Sequence, residues 1–210
     1  MLLPAAAMMV VTGFTTAALG TVQGDGAVVA GAPKESDVKL KVKRHVKRGK
    51  KLKIRGWVSP PRGRVVVVKV NGRKVGKTRT NGDGAFKLRW KARRTGVLKV
   101  KAIARGTPRA TRAAEGKKVN VYRKAAASYY GPGLYGNGTA CGGRLTPSKL
   151  GVAHKRLKCG SKVTLRYRGK SVRVPVIDRG PYAGNREYDL TAATKRKLGF
   201  GSTGTVLATK

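Results

Sequence analysis

Acid is what this sequence has least of. Its 210 residues carry 8 Asp and Glu against 48 Lys and Arg, a formal charge of +40. The carboxylates are Asp25, Glu35, Asp37, Asp83, Glu115, Asp178, Glu187 and Asp189. A calcium cage, which gathers several of them around one ion, is not expected from so thin a supply. Two Cys and two His rule out a zinc or iron–sulfur site of the usual Cys/His type. No metal or other cofactor is expected. Aromatic residues make up 6% of the chain, too few for a large aromatic-lined cavity. Hydrophobic residues still reach 40%, so the charge is not that of a disordered tail. Any acid–base chemistry must draw on the short list of acids.

So basic a chain suits nucleic acid, an anionic membrane surface or an anionic polymer outside the cell. Compartment decides between them. Leu2 to Leu19 carries no charge and small residues follow. This stretch resembles the apolar core of a secretory signal peptide, with cleavage after Gly20 or Ala30, and residues 1–30 are read that way. A single membrane anchor is the rival reading, against which stand an Ala/Gly/Thr-rich composition and Pro4. Both readings put the remainder outside the cytoplasm, in contact with a membrane only through an uncleaved N-terminal segment. There, the default for Cys141 and Cys159 is a disulfide, the alternative being two separate buried thiols. Closing a loop of this size contributes about 3 kcal/mol on the chain-entropy account.

Beyond a polar stretch at 31–36 the texture changes. Val38, Leu40 and Val42 alternate with Lys39, Lys41 and Lys43, the period of a strand with one wet face. Leu52, Ile54 and Val58 follow. Val65 to Val70 is a β-branched run, and Asn71-Gly72 predicts a hairpin with an antiparallel return over 74–80. Phe86, Leu88 and Trp90 alternate with Lys87, Arg89 and Lys91, and valines near 97–102 and 119–121 add further strands. These short strands predict a β-sandwich over 37–124. Around GKKLKIRGWVSP and NGDGAFKLRW the segment resembles bacterial immunoglobulin-like modules, which implies a spacing or binding role. His45, among Arg44, Lys47 and Arg48, reads as a surface residue and Asp83 as a turn residue. Outward lysines protect sheet edges. Solubility needs far less charge, so a polyanion-binding surface is expected, with anionic cell-wall polymers as partners.

A second strand-rich region begins at Ala127, with the boundary near 124–127. Val163, Leu165 and Tyr167 alternate, as do Val172, Val174 and Val176, and Gly169 between them predicts another hairpin. Residues 191–198 predict a short helix with Asp189 or Thr191 near its N-cap. Five blocks stand out: ASYYG at 127–131, TACGG at 139–143, GVAHKRLKCG at 151–160, VIDRGPY at 176–182 and DLTAAT at 189–194. In this order they resemble the rare lipoprotein A (RlpA-like) family across nearly all of 127–209. The resemblance implies a six-stranded double-psi β-barrel. The expected fold class is therefore all-β: an immunoglobulin-like β-sandwich over 37–124, then a barrel over 127–210.

The same resemblance implies a lytic transglycosylase acting on peptidoglycan glycan strands. It implies a catalytic Asp at Asp178, an essential His at His154, and a groove acid at Asp189. Tyr130 and Tyr182 are candidate sugar contacts, with Tyr129 and Tyr135 beside them. Arg179 is a candidate groove contact that could hold Asp178 ionised. The chemistry is compatible with a single carboxyl. It protonates the leaving oxygen, then takes the proton of the muramyl C6 hydroxyl as the 1,6-anhydro ring closes. The paired carboxylates of ordinary glycosidases are not required. Bland alternatives stay open: Asp178 closing a loop, Asp189 capping the helix, His154 as a satisfied interior residue, and the tyrosines as packing. One departure bears on activity. Some active relatives carry Glu and Asp shortly after the TA pair, where Gly143 and Thr146 stand here.

The sequence therefore reads as a secreted, extracytoplasmic or wall-associated protein, expected to be a monomer, that cleaves peptidoglycan strands. The alternative is a non-catalytic, expansin-like wall-binding or wall-loosening protein. A specific nucleic-acid partner is not expected, because no DNA- or RNA-binding motif is recognisable. Of the 48 basic residues, 32 precede Ala125, so the sandwich is the main polycation.

Overall fold

Alternating valine and lysine become strands with one apolar and one basic face. The computed structural model describes residues 32–61 and 63–210, and the signal peptide expected over 1–30 lies outside the described residues. Seven strands come first: β1 (Asp37–Val42), β2 (His45–Lys47), β3 (Lys51–Ser59), β4 (Val65–Val70), β5 (Arg73–Arg79), β6 (Ala85–Lys91) and β7 (Gly96–Ala104). An eighth, β8 (Ala113–Tyr130), runs for 18 residues. Along β3 every second residue is buried, so Leu52, Ile54, Gly56 and Val58 face in while Lys51, Lys53, Arg55 and Trp57 face out. Gly56 is required by close approach: a Cβ there would meet the Lys39 carbonyl at 2.1 Å and the Phe86 ring at 2.6 Å.

One sheet is β1-β3-β6, antiparallel throughout. The other runs β8-β7-β4-β5, with β2 parallel on β8. Their inner faces share one core. Leu40 and Ile54 come from the first sheet and Val66, Val68, Val100 and Val119 from the second, all at most 2% exposed. Removing each such side chain from water is worth about 1.5–3 kcal/mol. The hairpin expected at Asn71-Gly72 forms. Both residues have positive φ, 47° and 83°, as the tight primed turn demands, and β5 returns antiparallel to β4.

The remaining elements are β9 (Val152–Ala153), β10 (Lys162–Tyr167), β11 (Lys170–Asp178), β12 (Tyr188–Thr191), helix α1 (Ala192–Leu198) and β13 (Gly204–Ala208). With the second half of β8 they close a ring of six strands, β8-β12-β9-β11-β10-β13 and back to β8. The β8–β12 and β9–β11 pairs are parallel. Inside lie Val152, Val163, Leu165, Val174, Leu190 and Leu198, all fully buried. The six-stranded barrel is the expected one.

Two details refine the sequence reading. The boundary near 124–127 is not a flexible linker. Strand β8 pairs with β2 and β7 up to Tyr122 and with β13 from Arg123 onward, so it crosses from one core to the other unbroken. Of the two candidate caps of α1, Thr191 is the one used: its hydroxyl accepts the Thr194 amide at 3.2 Å. Asp189 is thereby left for another role.

Candidate active site

The ring of strands sets a row of partly buried side chains on the outer wall of the barrel, here called the trough. Ser128 on β8 is in register with Asp189 on β12, Asp189 with Ala153 on β9, and Ala153 with Asp178 on β11. Their neighbours Ala127, Tyr188, Leu190 and Val152 belong to the core, so alternation turns Ser128, Asp189 and Ala153 outward. Ala153 is the small floor between two acids. Adjacent strands stand about 4.8 Å apart, so the Cα atoms of Asp178 and Asp189 lie about 9–10 Å apart.

Asp178 reaches this face by a different route. Val174 and Val176 are buried in the core, and simple alternation would send Asp178 inward after them. Instead the register shifts between Val176 and Asp178, which pair with consecutive residues Val152 and Ala153. This β-bulge re-aims the carboxylate into the trough. Gly151 accommodates it, because a Cβ there would stand 2.6 Å from the side chain of the bulged residue, Ile177.

Once there, the Asp178 carboxylate is held by main chain. Its Oδ1 accepts the amides of Ala140 at 2.9 Å and Arg179 at 2.8 Å, and Oδ2 takes part in neither bond. The next amide, that of Cys141, donates to the Ile177 carbonyl at 3.2 Å. Cys141 and Cys159 form the expected disulfide, with Cα atoms 5.4 Å apart. The bridge thus pins the segment that supports Asp178.

Arg179 does not play the part read for it. Its guanidinium donates to the carbonyls of His154 at 3.2 Å and Leu157 at 3.0 Å and contacts Cys159 Sγ at 3.2 Å. It braces the 154–159 loop rather than reaching the trough or the Asp178 carboxylate.

Asp189 accepts the Ser128 hydroxyl at 2.8 Å. Burial pushes its pKa up, the Ser128 bond and Arg186 oppose this, and Asp178 adds to it. Tyr130, two residues after Ser128, carries the same pattern further. Its hydroxyl is buried without a hydrogen-bond partner. Burial raises its pKa well above the phenol value, and the charges of Asp178 and Asp189 raise it further. It is therefore a neutral donor close to both carboxylates, with Asp178 the nearer acceptor for it.

His154 is 8% exposed and its ring packs on Tyr188, centroids 5.0 Å apart. Its Nδ1 accepts two amides, from Arg156 and Leu157, each at 3.0 Å. The proton therefore sits on Nε2, which points at Glu187 Oε1 from 3.6 Å, too long for a hydrogen bond. Glu187 is in turn bound by Arg123 through both guanidinium nitrogens. Burial lowers the His154 pKa despite Glu187. The imidazole makes no hydrogen bond to Asp178. What joins the two residues is main chain: the His154 amide donates to the Asp178 carbonyl at 3.1 Å. A cavity of about 400 Å³ opens beside His154, between Lys155, Arg156, Arg186 and Glu187.

The other tyrosines separate. Tyr182 is 77% exposed, a free aromatic face. Tyr129 packs against the barrel core with the Lys195 ammonium 3.7 Å from its ring centre, so it serves packing. Gly143 and Thr146 lie in an exposed loop, where the Gly143 carbonyl accepts the Thr139 amide at 2.9 Å. Sequence reasoning missed Ser128, the Ala140 amide and the Arg123–Glu187 pair. Only Ser128 left a signal, because it shares a strand face with Tyr130.

Comparison with known proteins adds the family. The model of the family described as lytic transglycolase, a double-psi β-barrel, matches residues 123–208. A Synechocystis protein named "Probable endolytic peptidoglycan transglycosylase RlpA" is 45% identical over 80 residues, 37% of this chain and 25% of that one. The endolytic peptidoglycan transglycosylase RlpA of Neisseria meningitidis serogroup A is 44% identical over 81 residues, 38% of this chain and 34% of its own. That of Pseudomonas aeruginosa is 43% identical over 81 residues, 38% and 24%. The match thus spans a quarter to a third of each of these relatives' length, and in this chain it falls on the barrel. Residues 123–208 match the double-psi β-barrel family described as lytic transglycolase and are similar to the RlpA proteins named above.

Proposed function

We propose that the chain is an extracytoplasmic lytic transglycosylase that cleaves the glycan strands of peptidoglycan, with Asp178 as its acid and base. The observation that carries this is the bulge at Ile177, which turns a carboxylate out of the core beside Asp189 while the main chain holds one of its oxygens. Protonated Asp178 gives its proton to the glycosidic oxygen. The carboxylate then accepts the proton of the muramyl C6 hydroxyl, which closes on C1, and the same group is regenerated. The unpartnered Tyr130 hydroxyl donates to the sugar or to the developing charge, and Asp189 holds a sugar hydroxyl beside it. Tyr182 offers a stacking face. His154 acts through others. Its Nδ1 closes the 154–157 turn, that turn's carbonyls hold Arg179, and the Arg179 amide holds Asp178. The likeness of the barrel to RlpA proteins supports the reaction class.

The test is digestion of peptide-stripped glycan strands with mass spectrometry of the products. The expected result is 1,6-anhydromuramyl ends from the wild-type protein, and a loss of about 10²–10⁴-fold in Asp178→Asn. Anhydro products made equally by that variant sink the assignment. A second reading rests on Gly143 and Thr146, which add no acid to the trough: a non-catalytic wall-binding protein, which binds strands and releases nothing.

The sandwich completes the reading. We read residues 37–124 as an immunoglobulin-like module that holds the barrel on anionic wall polymers. Its β1-β3-β6 sheet packed on β8-β7-β4-β5, with β2 parallel to β8, supports that kinship. Its excess of Lys and Arg supports the partner.

A further inference from the structure

The charge of the sandwich is organised in rows. On the outer face of β1-β3-β6, Lys41, Arg55 and Lys87 stand side by side across all three strands. Lys53 faces Arg89 in the next row, and Lys51 faces Lys91 in the one after. All seven are exposed. On the other side of the Arg55 row, Lys39 pairs with Trp57, whose ring is 50% exposed. Trp57 is the one large exposed aromatic of the sandwich among the described residues. Asp37, the one acid on this face, sits at the far corner beside Ser59. A shallow cavity of about 490 Å³ joins Trp57 to Lys41, Arg55, Lys87 and Arg79.

Like charges directly opposite one another across a sheet destabilise it. Four such pairs on one small face, Lys41–Arg55, Arg55–Lys87, Lys53–Arg89 and Lys51–Lys91, exceed what solubility or edge protection requires. A ligand that neutralises the rows relieves the repulsion. Successive rows along a strand are about 6.7 Å apart, twice the rise per residue. An anion that meets them must carry charge at a short, regular repeat.

We propose that this face is a binding platform for a phosphodiester-linked sugar polymer, its phosphates on the cation rows and a sugar ring stacked on Trp57. The proposal rests on the wall-binding reading and gives it an address and a ligand chemistry. Arginine and lysine take phosphate by charge-assisted hydrogen bonds. One aromatic at the end of a charged track suits a polymer of sugars and phosphates. Single-stranded nucleic acid is held instead by a series of aromatics, one for each of several bases. Peptidoglycan itself is the substrate of the other domain, so a platform for a different wall polymer tethers the barrel without competing with it.

The experiment is co-sedimentation of the full chain with purified bacterial walls that carry such polymers, against the same walls after hydrofluoric-acid removal of phosphodiesters. Three proteins are compared with the wild type. One carries Lys41→Gln, Arg55→Gln and Lys87→Gln. One carries Lys99→Gln, Lys101→Gln and Lys118→Gln, an equal change of charge on exposed positions of the other sheet. The third is Trp57→Ala. Wild type is expected to bind intact walls at least tenfold better than stripped walls. The first triple should lose about tenfold or more and flatten the salt dependence by two to three phosphate contacts. The second triple should lose much less, and Trp57→Ala should weaken binding at unchanged salt slope. Equal loss in both triples, or undiminished binding to stripped walls, overturns the platform while leaving wall binding intact. Failure of the wild type to bind any wall overturns both. Tighter binding to a single-stranded DNA of matched charge than to the isolated wall polymer also overturns the proposal. Circular dichroism melts check that each variant is folded.

Discussion

The main-chain amide of Ala140 donates to Asp178 Oδ1 at 2.9 Å across 38 residues of sequence. Ala140 is the neighbour of Cys141, so the disulfide to Cys159 fixes the donor as well as the loop. Replacing both cysteines by serine should lower stability by about 3 kcal/mol. At this chain length that corresponds to a fall of about 6–12 °C in the unfolding midpoint. Below the midpoint, anhydro-product formation should fall too, because Asp178 loses a fixed partner. A double variant with a lowered midpoint but undiminished turnover at low temperature separates the bridge from the site.

Tyr130 carries a buried hydroxyl with no partner beside two acids. An unpaired buried polar group costs stability. Tyr130→Phe should therefore be more stable than wild type by about 1 kcal/mol, measured by urea unfolding. Its turnover on glycan strands should drop at the same time. A variant that is less stable shows that the hydroxyl is bonded in the folded protein and the trough is packed differently.

Asp189 has its pKa raised, first by burial. The folded state therefore binds the proton more tightly than the unfolded chain does. The stability linked to this is complete below the unfolded carboxyl pKa and is lost as pH rises through the folded value. Asp189→Asn, which can still accept from Ser128, should be more stable than wild type at neutral pH. The gap should close as the pH is lowered toward the unfolded carboxyl pKa. Unfolding midpoints of the two proteins across that range decide it, and a gap that widens in acid reverses the sign.

His154 behaves in the opposite sense. Its pKa is lowered, first by burial, and Nδ1 must stay unprotonated to accept two amides. The stability it contributes is present above the ordinary histidine pKa and is lost as pH falls through the lowered value. Nitrogen NMR should show a neutral ring protonated on Nε2 at pH 7, charging only below the ordinary value. His154→Ala should cost about 1–3 kcal/mol, the cost of stranding a buried donor. If His154 is only a brace, kcat should fall with KM unchanged, in step with the loss of order around Arg179. A ring that titrates at the ordinary value removes the argument.

Much of the fold was legible from local chemistry. The alternation of Lys39, Lys41 and Lys43 with Val38, Leu40 and Val42 sets one face of a strand, and nothing distant is needed to read it. Asn71-Gly72 marks its own turn, because few residues accept positive φ. Composition alone narrowed the possible acids of the barrel to Asp178, Glu187 and Asp189, and two of the three line the trough.

What the three acids do was decided only by the fold. Period-two reading points Asp178 into the core with Val174 and Val176. A bulge opposite β9, visible only once that strand is paired, turns it out. The cap of α1 went to Thr191 because the helix begins after it, which left Asp189 to meet Ser128 on a parallel strand 61 residues earlier in the chain. Glu187 found Arg123, and Arg179 found carbonyls rather than a carboxylate. The sequence by itself determined where strands run and how much charge they carry, since both follow from neighbours along the chain. Which oxygen meets which donor depends on register between strands far apart in sequence, and only tertiary packing sets that.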